Sequence, residues 1–240
     1  MANLIFIHGA GEDGRIWDRQ VARFGAADRV LAVDLPGRHS RLSEPAFTSH
    51  EENAKDVIRQ MEKAGISRGV LIGHSLGGGV ALIAALDHPD RLDGLVLVST
   101  GARLKMHPDF LERARQRAED PHASNEPPVP LERTVGASVS PETVEWLRAR
   151  AMSAPPKTIY ADFQANNSFD VMERLGRVTA PTLVIGADED RMAPPKFSEF
   201  IAQRIPGARL VILAACGHYP QVEQEARFNE TLIDFLRMLG

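Results

Sequence analysis

Apolar residues recur along this chain in two rhythms. Short apolar runs of strand length stand at residues 3–7, 29–33, 68–72, 92–98, 181–186 and 209–213. Between several of them the spacing turns helical: Ala54, Val57, Ile58 and Met61 fall at i, i+3, i+4 and i+7. Leu232, Phe235, Leu236 and Leu239 repeat that spacing near the end, giving a helix whose inner face packs on a sheet. Runs that are apolar throughout, such as Leu95-Val96-Leu97-Val98, suit strands covered on both faces. The order predicts an α/β fold, a mostly parallel sheet of about six strands flanked by helices. Helices are predicted over about 16–24, 49–64 and 80–86, and from Pro194-Pro195 to about 205. Gly65 closes the second of these, and the proline pair suits the first turn of the last.

The alternation breaks once. From about Gly101 to Arg177, charged helical stretches (Asp109 to Glu119, Pro141 to Met152) alternate with proline-rich connections such as Pro121 to Pro130 and Pro155-Pro156. Its place after a strand end predicts a helical cap over the carboxyl edge of the sheet. Residues 1–100 and 177–240 then form the core, and 101–176 the lid.

A chain of 240 residues suits one such domain with an insertion. A net charge of -4 argues against a nucleic-acid partner. Cys216 is the only cysteine, which excludes an internal disulfide and a cysteine zinc cluster. No apolar run reaches the roughly 20 residues of a membrane span. The apolar start, Asn3 to Ile7, lacks a basic lead and reads as a strand rather than a signal peptide. The expectation is a cytoplasmic protein without a membrane or nucleic-acid partner.

The chemistry centres on Val70 to Leu82, a strand, a tight turn and a helix with Ser75 at the apex of a G-x-S-x-G pattern. Such an elbow holds a serine on a strained turn with its hydroxyl exposed. Side chains two residues to either side would clash there, and Gly73 and Gly77 remove them. The first amides of the following helix aim at the serine and favour negative charge. The glycine-rich loop His8 to Gly14 leaves the first strand where open α/β sheets place ligands. It is predicted to be an oxyanion loop in which the N–H of Ala10 pairs with that of Leu76. His8 and Asp34 are expected to be structural, the second as a turn-stabilising carboxylate.

A serine hydroxyl needs a base, and the base an orienting group. His218 follows the last strand and Asp190 the strand before it, giving the order Ser75, Asp190, His218. His218 would take the proton from Ser75 and Asp190 would fix the imidazole tautomer. Asp190 is preferred because it immediately precedes the Arg-x-x-Pro segment opening a helix, with Asp188 left as the alternative. Cys216, near His218, is expected to be a small inert packing residue. No metal or organic cofactor is implied.

With His8-Gly9, the Gly73 to Gly78 elbow, the Pro181 to Pro194 acid segment and Gly217-His218 in this order, the chain resembles the α/β-hydrolase superfamily, of the small lid-bearing kind. The resemblance covers everything but the insertion. Members commonly have two antiparallel strands before the strand ending in His-Gly. This chain begins at that strand, like plant methyl esterases and hydroxynitrile lyases, hence about six strands. The resemblance implies a serine hydrolase of small carboxylic esters. Haloalkane dehalogenases and epoxide hydrolases carry a carboxylate at the apex, and Ser75 argues against both. Enol-lactonase, C–C bond hydrolase, perhydrolase and hydroxynitrile lyase chemistry stay open, as does a ligand sensor without broad turnover. The pocket would separate them, and Phe110, Trp146, Tyr160, Phe163 and Phe169 either line it or fill the core of the insertion.

Overall fold

The computed structural model describes residues 2–120, 122, 129–151 and 153–240. Among these, the strands β1 (Asn3–Ile7), β2 (Arg29–Val33), β3 (Gly69–His74), β4 (Leu92–Val98), β5 (Thr182–Ala187) and β6 (Arg209–Leu213) form one sheet in the order β2-β1-β3-β4-β5-β6. Every pairing is parallel. The chain winds one way from β1 to β2 and the other way from β3 onward. The switch falls between β1 and β3, where open sheets form a ligand crevice.

Alternate residues of each strand feed opposite cores, because side chains along a strand alternate faces. Ile5, Ile7, Leu71, Leu95, Leu97 and Val184 point to one side, against α2 (His50–Lys63), α3 (Leu76–Asp87) and α7 (Pro195–Arg204). Leu4, Phe6, Val70, Ile72, Val96 and Ile185 point to the other, against α1 (Asp18–Phe24), the short α8 (Pro220–Glu223) and α9 (Glu225–Leu239). Phe6 and Trp17 meet there with ring centroids 4.9 Å apart. α3 is buried along nearly its whole length, as an apolar helix with no polar face must be.

Between β4 and β5 lie α4 (Pro108–Glu119), α5 (Pro141–Arg148) and α6 (Pro156–Ser168). α5 stops short of the predicted Met152, which lies outside the described residues, as does most of the proline-rich stretch from Pro121 to Pro130. α6 is unpredicted. Pro155-Pro156 reads as a break, yet Pro156 opens the helix, where its missing N–H costs nothing. Among the described residues, no helix is long and apolar enough to cross a membrane.

Candidate active site

Register aligns the carboxyl ends of the strands. Ile7 stands opposite Gly73, His74 opposite Val98, and Ala187 opposite Leu213. The loops after β1, β3, β5 and β6 therefore leave the same edge of the sheet.

Ser75 follows β3 with φ 51° and ψ -115°, a left-handed conformation that is strained for a residue with a side chain. Its neighbours hold it there. Its N–H donates to Val98 O at 2.9 Å, and the Thr100 hydroxyl donates to its carbonyl at 2.7 Å. A Cβ on Gly73 would lie 2.2 Å from Gly77 O, and one on Gly77 would lie 2.3 Å from Ile7 O. Gly73 is crowded by the far side of the elbow as expected, whereas Gly77 is required by the close approach of the Ile7 and His8 backbone. Leu76 is the first residue of α3, so its N–H belongs to the positive end of that helix.

His218 and Asp190 meet as the sequence order predicts. His218 Nδ1 lies 2.9 Å from Asp190 Oδ2 and 3.1 Å from Oδ1. Asp190 is buried and also accepts the N–H groups of Met192 at 2.8 Å and Ala193 at 2.9 Å. Burial alone would raise its pKa; the facing imidazole and these amides outweigh that and hold it below the usual carboxylate value. Burial likewise disfavours charge on His218, but Asp190 outweighs it and the imidazole pKa is raised. Asp188 is exposed and accepts the Cys216 N–H instead, so the structure pairs His218 with Asp190.

A second buried acid–histidine pair, not anticipated from the sequence, lies beside the first. Glu12 accepts the Gly9 N–H at 2.7 Å and faces His74 Nδ1 at 3.2 Å. The other ring nitrogen of His74 donates to His218 O at 2.8 Å. Burial opposes ionisation of Glu12, yet its pKa is lowered, His74 being the main counterweight. The pair ties the loop after β1, the elbow and the histidine loop together. The signal was visible only as His74 within the elbow motif and Glu12 within the loop.

The stretch between β4 and β5 grips the same loops. Gly11 N–H donates to Asp162 Oδ2 of α6 at 2.8 Å, and Ala154 N–H donates to Gly11 O at 3.0 Å. Asp162 is fully buried against Arg38, with contacts of 2.8 and 3.0 Å, and Arg38 also donates to Glu12 O at 3.2 Å. Ala10 sits between these anchors. Across the site, His218 N–H donates to Thr134 O at 2.6 Å.

His8 is structural, as expected: Leu35 N–H donates to its Nε2 at 3.1 Å, and Nδ1 donates to Gly9 O at 2.8 Å. Asp34 accepts the Gly14 and Ser40 amides at 2.8 and 3.2 Å, fixing its turn. Asp13, Asp34 and His39 bring ligand-type atoms within 4.8 Å of one another. Arg15 and Ser153 engage Asp13, so the cluster reads as a polar knot within the loops. Cys216 is buried, and burial together with nearby carboxylates pushes its thiol pKa far up, in keeping with an inert packing role.

Ser75, His218, Ala10 and Glu12 open on one cavity of about 240 Å³. The stretch between β4 and β5 supplies Phe110, Phe163 and Asn166 to its wall. Trp146 instead packs on the sheet core, Tyr160 packs against Ile159 and Phe163, and Phe169 stacks on His50 with centroids 4.3 Å apart. Phe110 and Phe163 thus do both, lining the cavity and packing with Ala114, Ala154 and Ile159, while Trp146, Tyr160 and Phe169 are in packing.

The profile of the alpha/beta hydrolase family matches residues 4–231. RutD of Variovorax paradoxus (strain S110), assigned as a carbamate hydrolase, is 33% identical, over 95% of this chain and 89% of its own. The 2-hydroxy-6-oxo-6-phenylhexa-2,4-dienoate hydrolase of Comamonas testosteroni is 29% identical, over 98% and 87%. Among solved structures, a thermophilic esterase from Thermogutta terrifontis superposes with a TM-score of 0.88 at 29% identity, covering 100% of this chain and 90% of that one.

Proposed function

This chain belongs to the alpha/beta hydrolase family, and from that premise we propose that it is a serine hydrolase of small carboxylic esters. One observation carries the reading: His218, oriented by Asp190 through Nδ1, opens on the same cavity as the strained Ser75. With Nδ1 engaged, Nε2 is the nitrogen left to act as base. Ser75 Oγ attacks the ester carbonyl and its proton passes to His218. The oxyanion is received by the N–H groups of Ala10 and Leu76. The imidazolium protonates the departing alcohol, and the acyl group stays on Ser75. Water, deprotonated by His218, then attacks the acyl-enzyme, and the acid leaves.

Residues 101–176 act in this reading as a cap on the 1–100 and 177–240 core, shaping the pocket and shielding the acyl-enzyme. Phe110 and Phe163 give the lining an apolar stretch suited to an acyl or alcohol chain.

The test is a panel of p-nitrophenyl esters, acetate through long chain, with a carbamate and a lactone beside them. Wild type and Ser75→Ala protein are compared. Ester turnover lost in Ser75→Ala supports the reading, and the chain-length profile sizes the pocket. Turnover of the carbamate or lactone alone would move the substrate class while keeping the serine mechanism. No turnover above the Ser75→Ala background would sink it in favour of a binding role.

A further inference from the structure

One side chain of the cavity has no role in that mechanism. Asn166 lies on α6, one helical turn past Asp162 on the same face, and is 5% exposed. It lines the cavity with Phe163, Ala10 and Ser75. Its Oδ1 is sealed from solvent and has no hydrogen-bond partner. The other atoms in that state among the described residues belong to side chains that do not line this cavity.

A buried carboxamide oxygen without a partner has lost its water and gained nothing in return. Packing does not call for it, since the neighbouring positions Phe163 and Ala165 are buried and apolar. The loss is made good when the carboxamide turns into the cavity that Asn166 lines and meets a hydrogen-bonding atom of a bound molecule. A hydroxyl fits best, because it donates to Oδ1 and accepts from Nδ2 of the same amide. Phe110, Met106 and Leu104 form an apolar stretch of the wall beside Lys105, His107 and Arg191, so a hydroxyl carried on a short hydrocarbon portion finds a complementary surface there.

We propose that Asn166 is a specificity-determining residue that selects esters bearing a hydroxyl group over analogues that lack it. The proposal rests on the esterase reading and deepens it. A site built to hydrogen-bond a substrate hydroxyl discriminates strongly against the analogue lacking it, because the buried partner is then left unpaired.

Three esters test it: ethyl butanoate, ethyl 3-hydroxybutanoate and 2-hydroxyethyl butanoate. The hydroxyl is absent from the first, on the acyl side in the second and on the alcohol side in the third. Hydrolysis is followed by pH-stat on wild type and Asn166→Leu. Binding of the same esters to Ser75→Ala, with and without Asn166→Leu, is followed by calorimetry. At least one hydroxy ester is expected to exceed ethyl butanoate by about 10-fold or more in kcat/KM and in affinity. In Asn166→Leu that ratio collapses to within about 2-fold. Each ratio is internal to one protein, so partial misfolding of a variant does not alter it. Asn166→Ala carries the same expectation if the leucine variant fails to fold. Equal use of all three esters by wild type overturns the proposal, and so does a preference that survives in Asn166→Leu. If wild type hydrolyses none of them, the esterase reading fails on its own, and the binding ratio still decides the role of Asn166.

Discussion

Asp162 Oδ2 lies 2.8 Å from the backbone nitrogen of Gly11, across 151 positions of sequence. The same carboxylate meets Arg38, and both side chains are about 2% exposed or less. Asp162 thereby fixes the peptide next to Ala10, whose N–H we propose receives the oxyanion. Removing one member of a buried ion pair strands the other charge, typically at a cost of about 3–5 kcal/mol. Asp162→Ala is expected to destabilise by that order and to lower kcat more than it raises KM. Denaturant unfolding and steady-state kinetics check both. The double variant Arg38→Met, Asp162→Leu is expected to regain stability relative to Asp162→Ala while kcat stays low, because the Gly11 N–H still lacks its acceptor.

The pH profile follows from His218. The base must be neutral to act, and Asp190, against the opposing effect of burial, raises its pKa. kcat/KM is therefore expected to rise with pH along a limb centred above about 6.5, the ordinary histidine value. Asp190→Asn should move that limb toward acid and cut kcat by about 10⁴-fold.

Stability moves the other way. A group whose folded pKa is raised contributes fully below its unfolded value and loses that contribution as pH climbs through the folded one. Thermal unfolding across neutral to mildly alkaline pH should show His218 withdrawing stability over the range where activity rises. Asp190, with a lowered pKa, withdraws its contribution at the acid end, as pH falls through its folded value.

The elbow glycines differ from an exposed one. Gly73→Ala and Gly77→Ala drive a Cβ into rigid backbone at 2.2 and 2.3 Å. Each is expected to cost upward of about 3 kcal/mol and to abolish activity. Gly207 has positive φ but open space around its Cβ position. Gly207→Ala should cost only about 1 kcal/mol of backbone strain, with activity intact. Urea melts and an ester assay separate the two cases.

Cys216 is expected to resist thiol reagents in the folded protein and to react once the chain is unfolded, since burial suppresses its thiolate. Timed labelling read by mass spectrometry checks this. Rapid native labelling with loss of activity would contradict it.

The sheet was legible because parallel strands covered on both faces leave nearly unbroken apolar runs. Ser75, Asp190 and His218 were legible because each follows such a run at the same edge. Asp190 was separable from Asp188 by the segment after it, whose Met192 and Ala193 amides turn out to hold its carboxylate. α6 was not legible. Ile159, Ala161, Phe163 and Ala165 are buried beside Asp162 and Asn166, so no apolar stripe stands against a polar face. The polar residues on it answer to Gly11, Arg38 and the cavity, partners that only the folded chain brings near. Glu12 and His74 escaped for the same reason.

The bonds from Ala154 and Asp162 to Gly11, and from Thr134 to His218, bear on modularity. The stretch between β4 and β5 is a splint for the loops beneath it. A shortened variant without it would expose the serine and also loosen the peptides beside Ala10 and His218. Grafting the corresponding stretch from a relative transfers a pocket only if it brings an acceptor for Gly11 and a carbonyl for His218. Directed evolution of this scaffold toward new substrates thus has most freedom at Phe110, Phe163 and Asn166, and least at Asp162 itself.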